Sequence, residues 1–199
     1  MKIRLHPILI PVFLLLLMSG NVSAYTFIFL SLLIHEAGHL LAAKLLGLRV
    51  SMCTIMPYGG EISIAGRYAV RRRKRFYVAM AGPLATFCVL LFVLVVPVPE
   101  ADFLVRIQLV LLGVNLFPFL PLDGGQAVSA IIEKPGQEYE ARIALIVHSL
   151  LFYSIVIVIL SLYLPETLPI LLLAGFLLLQ NISAFRYRKY EKALLKLKR

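Results

Sequence analysis

The sequence predicts an all-α polytopic membrane protein with about six transmembrane helices, a broken fourth span and a short membrane-associated β hairpin. Composition is the first observation behind that reading. Of 199 residues, 61% are hydrophobic and only 15% are charged, whereas a soluble domain carries about 25% charged residues. Patterning is the second: the apolar residues come in blocks close to the ~20 residues that cross a bilayer as a helix. The third is that basic residues gather at the ends of those blocks. With a mean hydropathy of +0.93, these features exclude a soluble enzyme, a disordered regulator and a disulfide scaffold. Cys53 and Cys88 form no CxxC pair and read as small apolar fillers.

Span one covers about Pro7–Ser19. Lys2, Arg4, Ile8–Met18 and Val22-Ser23-Ala24 also fit a signal peptide with its cleavage site. A retained span is preferred because the charge count below closes with it. Span two is Tyr25–Leu46. The segment Val50–Ile64 then alternates with period two on either side of the turn signal Pro57-Tyr58-Gly59-Gly60, so a β hairpin is expected over about 50–64. Span three is Phe76–Val96 and span four is Phe103–Ile132. Pro118, Pro121, Gly124 and Gly125 interrupt span four and open its helix. Span five is Ile143–Leu164 and span six Leu168–Phe185. Residues 1–185 thus form one transmembrane domain, and residues 186–199 a basic cytoplasmic tail.

The net charge of +10, from 20 Lys+Arg against 10 Asp+Glu, is a matter of topology. With six spans, every Lys and Arg except Arg106 falls on the side that holds both termini. The opposite loops carry Glu100, Asp102 and Glu166. The rule that basic loops stay inside makes the basic side cytoplasmic in a multi-pass cell-membrane protein. The run Arg71-Arg72-Arg73-Lys74-Arg75 is read as an anchor on anionic lipid. The bilayer is therefore the partner of these charges, and no nucleic acid is expected.

Span two contains His35-Glu36-Ala37-Gly38-His39, an HExxH motif. Positions i and i+4 share a helix face, so both imidazoles can reach one Zn²⁺, and Glu36 beside them can act as a base toward a water. Ionisable groups inside an apolar span are costly unless they have a function. The bland reading is a pair of histidines bonded to their neighbours, which leaves Glu36 unexplained. Zinc hydrolases take a third ligand, and Asp123 in the opened part of span four is the candidate. By helix rise His35, His39 and Asp123 all lie roughly 12–18 Å inside the cytoplasmic edge. The charges of Glu36 and Asp123 balance one Zn²⁺ per chain. Asn115 either bonds substrate backbone or holds the break. A metal transporter and a catalytically inactive membrane scaffold binding transmembrane partners are the competing functions. A transporter predicts polar groups along a whole path, and spans three, five and six are nearly bare.

These residues resemble the site-2 intramembrane metalloproteases, peptidase family M50, and within them the stage IV sporulation protein FB branch. The resemblance rests on His6-Pro7, the HExxH motif, Ala81-Gly82-Pro83 and Asn115-x-x-Pro118-x-x-Pro121-Leu122-Asp123-Gly124-Gly125. It implies a zinc metalloendopeptidase that cleaves a membrane-associated protein near the cytoplasmic face. His35, His39 and Asp123 would hold Zn²⁺, and Glu36 would be catalytic. Met56-Pro57-Tyr58-Gly59-Gly60 resembles the segment proposed to hold substrate, which makes Gly59 and Gly60 candidate substrate contacts. The resemblance further implies regulated intramembrane proteolysis, pro-sigma factor processing in sporulation and membrane inhibitor or regulator proteins as partners. It stops short of that branch's C-terminal nucleotide-sensing CBS domain, because this chain ends after Arg186–Arg199, and no PDZ module is present. Regulation by ATP is therefore not carried over.

Overall fold

The computed structural model describes residues 2–5, 22–56, 59–64, 70–134 and 137–188. The expected first span, Pro7–Ser19, and nearly all of the tail 186–199 lie outside the described residues. The chain divides into two compact units, Met1–Leu116 and Phe117–Arg199.

The first unit begins with strand β1, Lys2–Leu5, followed by helix α1, Val22–Leu45. Leu and Ala predominate in α1, and side chains that are unbranched at Cβ or small lose little freedom in a helix. The helix stops where glycine permits a left-handed residue. Gly47 has φ +69°, its N–H donates to Lys44 O (3.0 Å), and Leu48 N–H donates to Ala43 O (2.9 Å). That pair of bonds is a Schellman cap. Lys74 Nζ adds a third bond by donating to Leu46 O at 2.6 Å.

Strands β2, Val50–Met56, and β3, Gly59–Ile64, pair antiparallel, with Cys53 opposite Ile62 and Met56 opposite Gly59. Strand β1 pairs parallel to β2, from Lys2 opposite Met52 to Leu5 opposite Ile55, which gives the order β1-β2-β3. β1 departs from the sequence reading, which gave Lys2 and Arg4 only a charge role. Four residues are too short to carry a period-two signal, and the pairing partner lies some fifty residues away.

Helix α2, Arg72–Val95, starts inside the arginine run, four residues before the expected span. Hydropathy marks where a span enters lipid, while the backbone helix continues until its hydrogen bonds end. α2 packs on α1 at a close approach. A Cβ on Gly38 would stand 2.6 Å from Ala81 O and 2.8 Å from Ala85 Cβ. Small residues of this kind let helix backbones meet in a membrane. Helix α3, Ala101–Asn115, completes the unit. Its Gln108 is fully buried and donates to Ser31 Oγ of α1 at 2.7 Å.

The expected fourth span is two helices in the structure: α3 ends at Asn115, and α4, Asp123–Ile132, starts after seven residues. In the second unit α4 is followed by α5, Glu138–Ser161, and α6, Leu168–Arg186. Phe119, from the segment that leads into α4, sits in a core with Tyr153 and Leu177. It stacks on Phe152 at 3.7 Å and on His148 at 5.3 Å between ring centroids.

Both units place polar groups inside and apolar groups outside. Ser31, His35, His39, Thr86 and Gln108 are buried in the first, and Asp123, Ser129, Glu133, Ser149 and Asn181 in the second. Leu41, Leu94, Val95, Leu151, Val158 and Leu172 are exposed. Among the described residues, three helices, over Ser23–Leu45, Arg72–Val95 and Tyr139–Ser161, are long and apolar enough to cross a membrane.

Candidate metal centre

His35 and His39 lie four residues apart on α1 and point the same way, both buried. Their rings meet edge to face, with centroids 4.9 Å apart and planes at 81°. The two Nε2 atoms are 3.3 Å apart.

Helix α2 fixes the tautomers. His39 Nδ1 stands 2.7 Å from the carbonyl of Val78, which only accepts, so Nδ1 carries the proton. His35 Nδ1 stands 2.8 Å from Thr86 Oγ1. The Thr86 hydroxyl hydrogen goes to Gly82 O at 3.2 Å, leaving a lone pair for His35 Nδ1–H. Each Nε2 therefore presents a lone pair toward the same point. Two lone pairs at that distance repel unless a cation lies between them. Two nitrogens bound to one zinc at about 2.0–2.1 Å and the tetrahedral angle stand about 3.3–3.4 Å apart. The pair fits zinc in donor type, in spacing and in the hydrogen bonds behind each ring.

Gly82 supplies the space. A Cβ there would fall on His39 Nε2 and Cε1 and within 2.7 Å of His35 Nε2. The imidazole tips thus face bare backbone. Val78, Gly82 and Thr86 recur every four residues, as do Ser31, His35 and His39, so one face of α2 meets one face of α1. Gly82 is legible in the sequence only as part of Ala81-Gly82-Pro83, and Val78 and Thr86 belong to no motif there. The four-residue spacing of a threonine and a glycine in an apolar span is the signal that could have found them.

Glu36 follows His35 on α1 and is half-buried. Asn115 Nδ2 donates to Leu111 O of its own helix at 3.0 Å, which places that group in the last turn of α3. Gly59 and Gly60 open β3 opposite Met56 and Ile55. Asp123 belongs to the second unit, where it is buried and is the first residue of α4.

Residues 23–101, which contain both histidines and the helix that orients them, match the profile of peptidase family M50. The chain belongs to peptidase family M50. Zinc is the cofactor this M50 chain fits. Stage IV sporulation protein FB of Bacillus subtilis is 30% identical over 140 residues, which cover 67% of this chain and 49% of that protein. A zinc metalloprotease of Methanocaldococcus jannaschii is 29% identical over 119 residues, covering 55% of this chain and 34% of that protein. The M50 chain thus spans half or less of the length of these curated relatives. Among solved structures, the site-2 protease from Methanocaldococcus jannaschii has the same fold, with a TM-score of 0.72 at 22% identity, covering 91% of this chain and 89% of that one.

Proposed function

We propose that this chain is an intramembrane zinc metalloendopeptidase that cleaves a membrane-associated protein near the cytoplasmic face. The observation that carries the reading is the His35–His39 pair, with both Nδ1 atoms engaged and the Nε2 atoms 3.3 Å apart, next to Glu36. Asp123 is the third ligand in this reading. It is a buried carboxylate at the start of α4. Its depth by helix rise matches that of the histidines, and its charge with that of Glu36 balances a divalent ion. Zinc, when bound, supplies a Lewis acid that activates water and polarises the scissile carbonyl.

The rest of the work falls to the chain. Glu36 takes the proton of the attacking water and passes it to the leaving amine. The apolar span around the site limits water to what enters from the cytoplasmic side. A helical carbonyl is shielded and already hydrogen-bonded, so the substrate segment must first unwind. β3 is an edge of the described sheet, and an extended segment can add to such an edge, starting at Gly59 and Gly60. Asn115 belongs to the same substrate-facing set. The six-span arrangement counts α1, α2, the broken pair α3 and α4, α5, α6 and the first span, with both termini cytoplasmic. Likeness to a sporulation protein supports a sporulation role, and the finer form of the proposal is regulated proteolysis, with pro-sigma factor processing as its specific form and membrane inhibitors or regulators as partners.

Glu36→Gln tests the reading. Gln keeps the shape and loses the base, so cleavage of a membrane-tethered substrate falls about 10²–10⁴-fold. Zinc content stays at the wild-type level. Wild-type turnover by a zinc-loaded variant would remove Glu36 from the mechanism.

A further inference from the structure

Between α3 and α4 the chain runs through Leu116–Leu122 without a helix, in a protein whose helices are built for lipid. Lipid offers no hydrogen bonds, so the polar groups of such a segment must find partners inside the protein. Pro118 and Pro121 have no N–H to satisfy, and among the remaining peptides of the segment that of Leu120 is bonded from two neighbouring helices.

Leu120 is held at both of its polar ends. Its N–H donates to Ser149 Oγ of α5 at 2.9 Å. The Ser149 hydrogen goes to Leu145 O at 2.8 Å, so its lone pair is what remains for Leu120. The Leu120 carbonyl accepts from Asn181 Nδ2 of α6 at 2.6 Å, and the same amide also donates to Leu177 O at 3.0 Å. Ser149 is fully buried and Asn181 is 2% exposed. The next residues are pinned as well. Leu122 N–H donates to Phe119 O at 3.0 Å, and Gln126 Nε2 to Pro121 O at 3.0 Å. A Cβ on Gly125 would collide with the Phe119 carbonyl and with Leu120 N. The segment therefore lies directly on the first turn of α4.

We propose that Ser149 and Asn181 are positioning residues for the metal site: by clamping the Leu120 peptide from α5 and α6, they set where α4 begins and thus where the Asp123 carboxylate stands. The proposal rests on the reading of Asp123 as a zinc ligand. Neither Ser149 nor Asn181 belongs to a motif legible in the sequence. Neither residue touches the metal or the substrate in this proposal; each acts through one peptide, three residues from the carboxylate. Outer partners of metal ligands commonly govern affinity by 10–100-fold.

The test uses the full chain purified in detergent. Zinc affinity is measured by competition with a chromophoric chelator. The visible bands of the Co²⁺-substituted protein report ligand geometry, and a melting curve is recorded on the metal-free protein. Ser149→Ala and Asn181→Leu should each weaken zinc by about 10–100-fold and shift the cobalt bands, with the metal-free protein still melting cooperatively as a folded protein. Ser149→Thr keeps the hydroxyl and should restore both affinity and spectrum. Wild-type zinc affinity and cobalt bands in Ser149→Ala and Asn181→Leu overturn the proposal. So does a loss of zinc that tracks an equal loss of fold in the metal-free protein and is not rescued by Ser149→Thr. Asp123→Ala separates the two levels. If it also binds zinc as tightly as wild type, Asp123 is not a ligand and the underlying reading fails. If it loses zinc while the Ser149 and Asn181 variants do not, only the clamp is wrong.

Discussion

A methyl group at position 82 would occupy the volume in front of the two imidazoles, since its carbon would fall on His39 and within 2.7 Å of His35 Nε2. Gly82→Ala should therefore displace the metal without unfolding α2, where alanine is a good helix former. We expect zinc content in the purified variant to drop at least about tenfold, no less than for the loss of a hydrogen-bond partner behind a ligand, with helical circular dichroism retained. A variant that carries full zinc would show that the imidazole tips face elsewhere. Thr86→Val keeps the shape and removes the acceptor for His35 Nδ1–H. It should weaken zinc by about 10–100-fold, measured by chelator competition, while Thr86→Ser stays near wild type. His35, Glu36 and His39 were legible in the sequence because their spacing alone puts two nitrogens on one helix face. Thr86 was not legible, because it is 51 residues from His35 and nothing in one sequence reports which faces of two helices meet.

At the scale of the element, α1 and α2 are held together by a close contact at Gly38. Alanine there would place its Cβ 2.6 Å from a backbone oxygen, which cannot rotate away as a side chain can. Gly38→Ala should destabilise the pair by about 1–3 kcal/mol, the range for overpacking. Denaturant unfolding in detergent measures it, and an unchanged midpoint would mean the helices have room to part. Helix cores were easy to read from hydropathy, and the span expected at Tyr25–Leu46 is the helix Val22–Leu45. Ends were harder: α2 runs back to Arg72 because charge stops a span and leaves the helix intact. Prolines and glycines gave the break before Asp123, since they remove donors and bend backbone wherever they occur. β1 was hidden because a four-residue strand is defined by its partner and not by its own pattern.

At the scale of the whole molecule, the apolar exteriors and polar interiors of both units suit a solvent of hydrocarbon, and the basic residues then decide orientation. All Lys and Arg except Arg106 fall on one side of a six-span arrangement. A cysteine placed by Lys196→Cys, with Cys53 and Cys88 replaced, should react with an impermeant maleimide only after the cell is permeabilised. Reaction in intact cells would reverse the topology and with it the depth at which Asp123 matches the histidines.

Ser31, His35 and His39 on α1 and Val78, Gly82 and Thr86 on α2 share a four-residue period, and the bonds to the two Nδ1 atoms join the two rows. Sliding or rotating one helix by a single residue would remove both Nδ1 partners at once and bring a side chain to the imidazole tips. Newly inserted helices in a membrane can associate in several such registers, all equally greasy. Here only one of them leaves two oriented nitrogens and a gap. An ion bound between the two imidazoles would therefore stabilise this register over the misaligned ones, because only the register that holds the ion gains its binding energy.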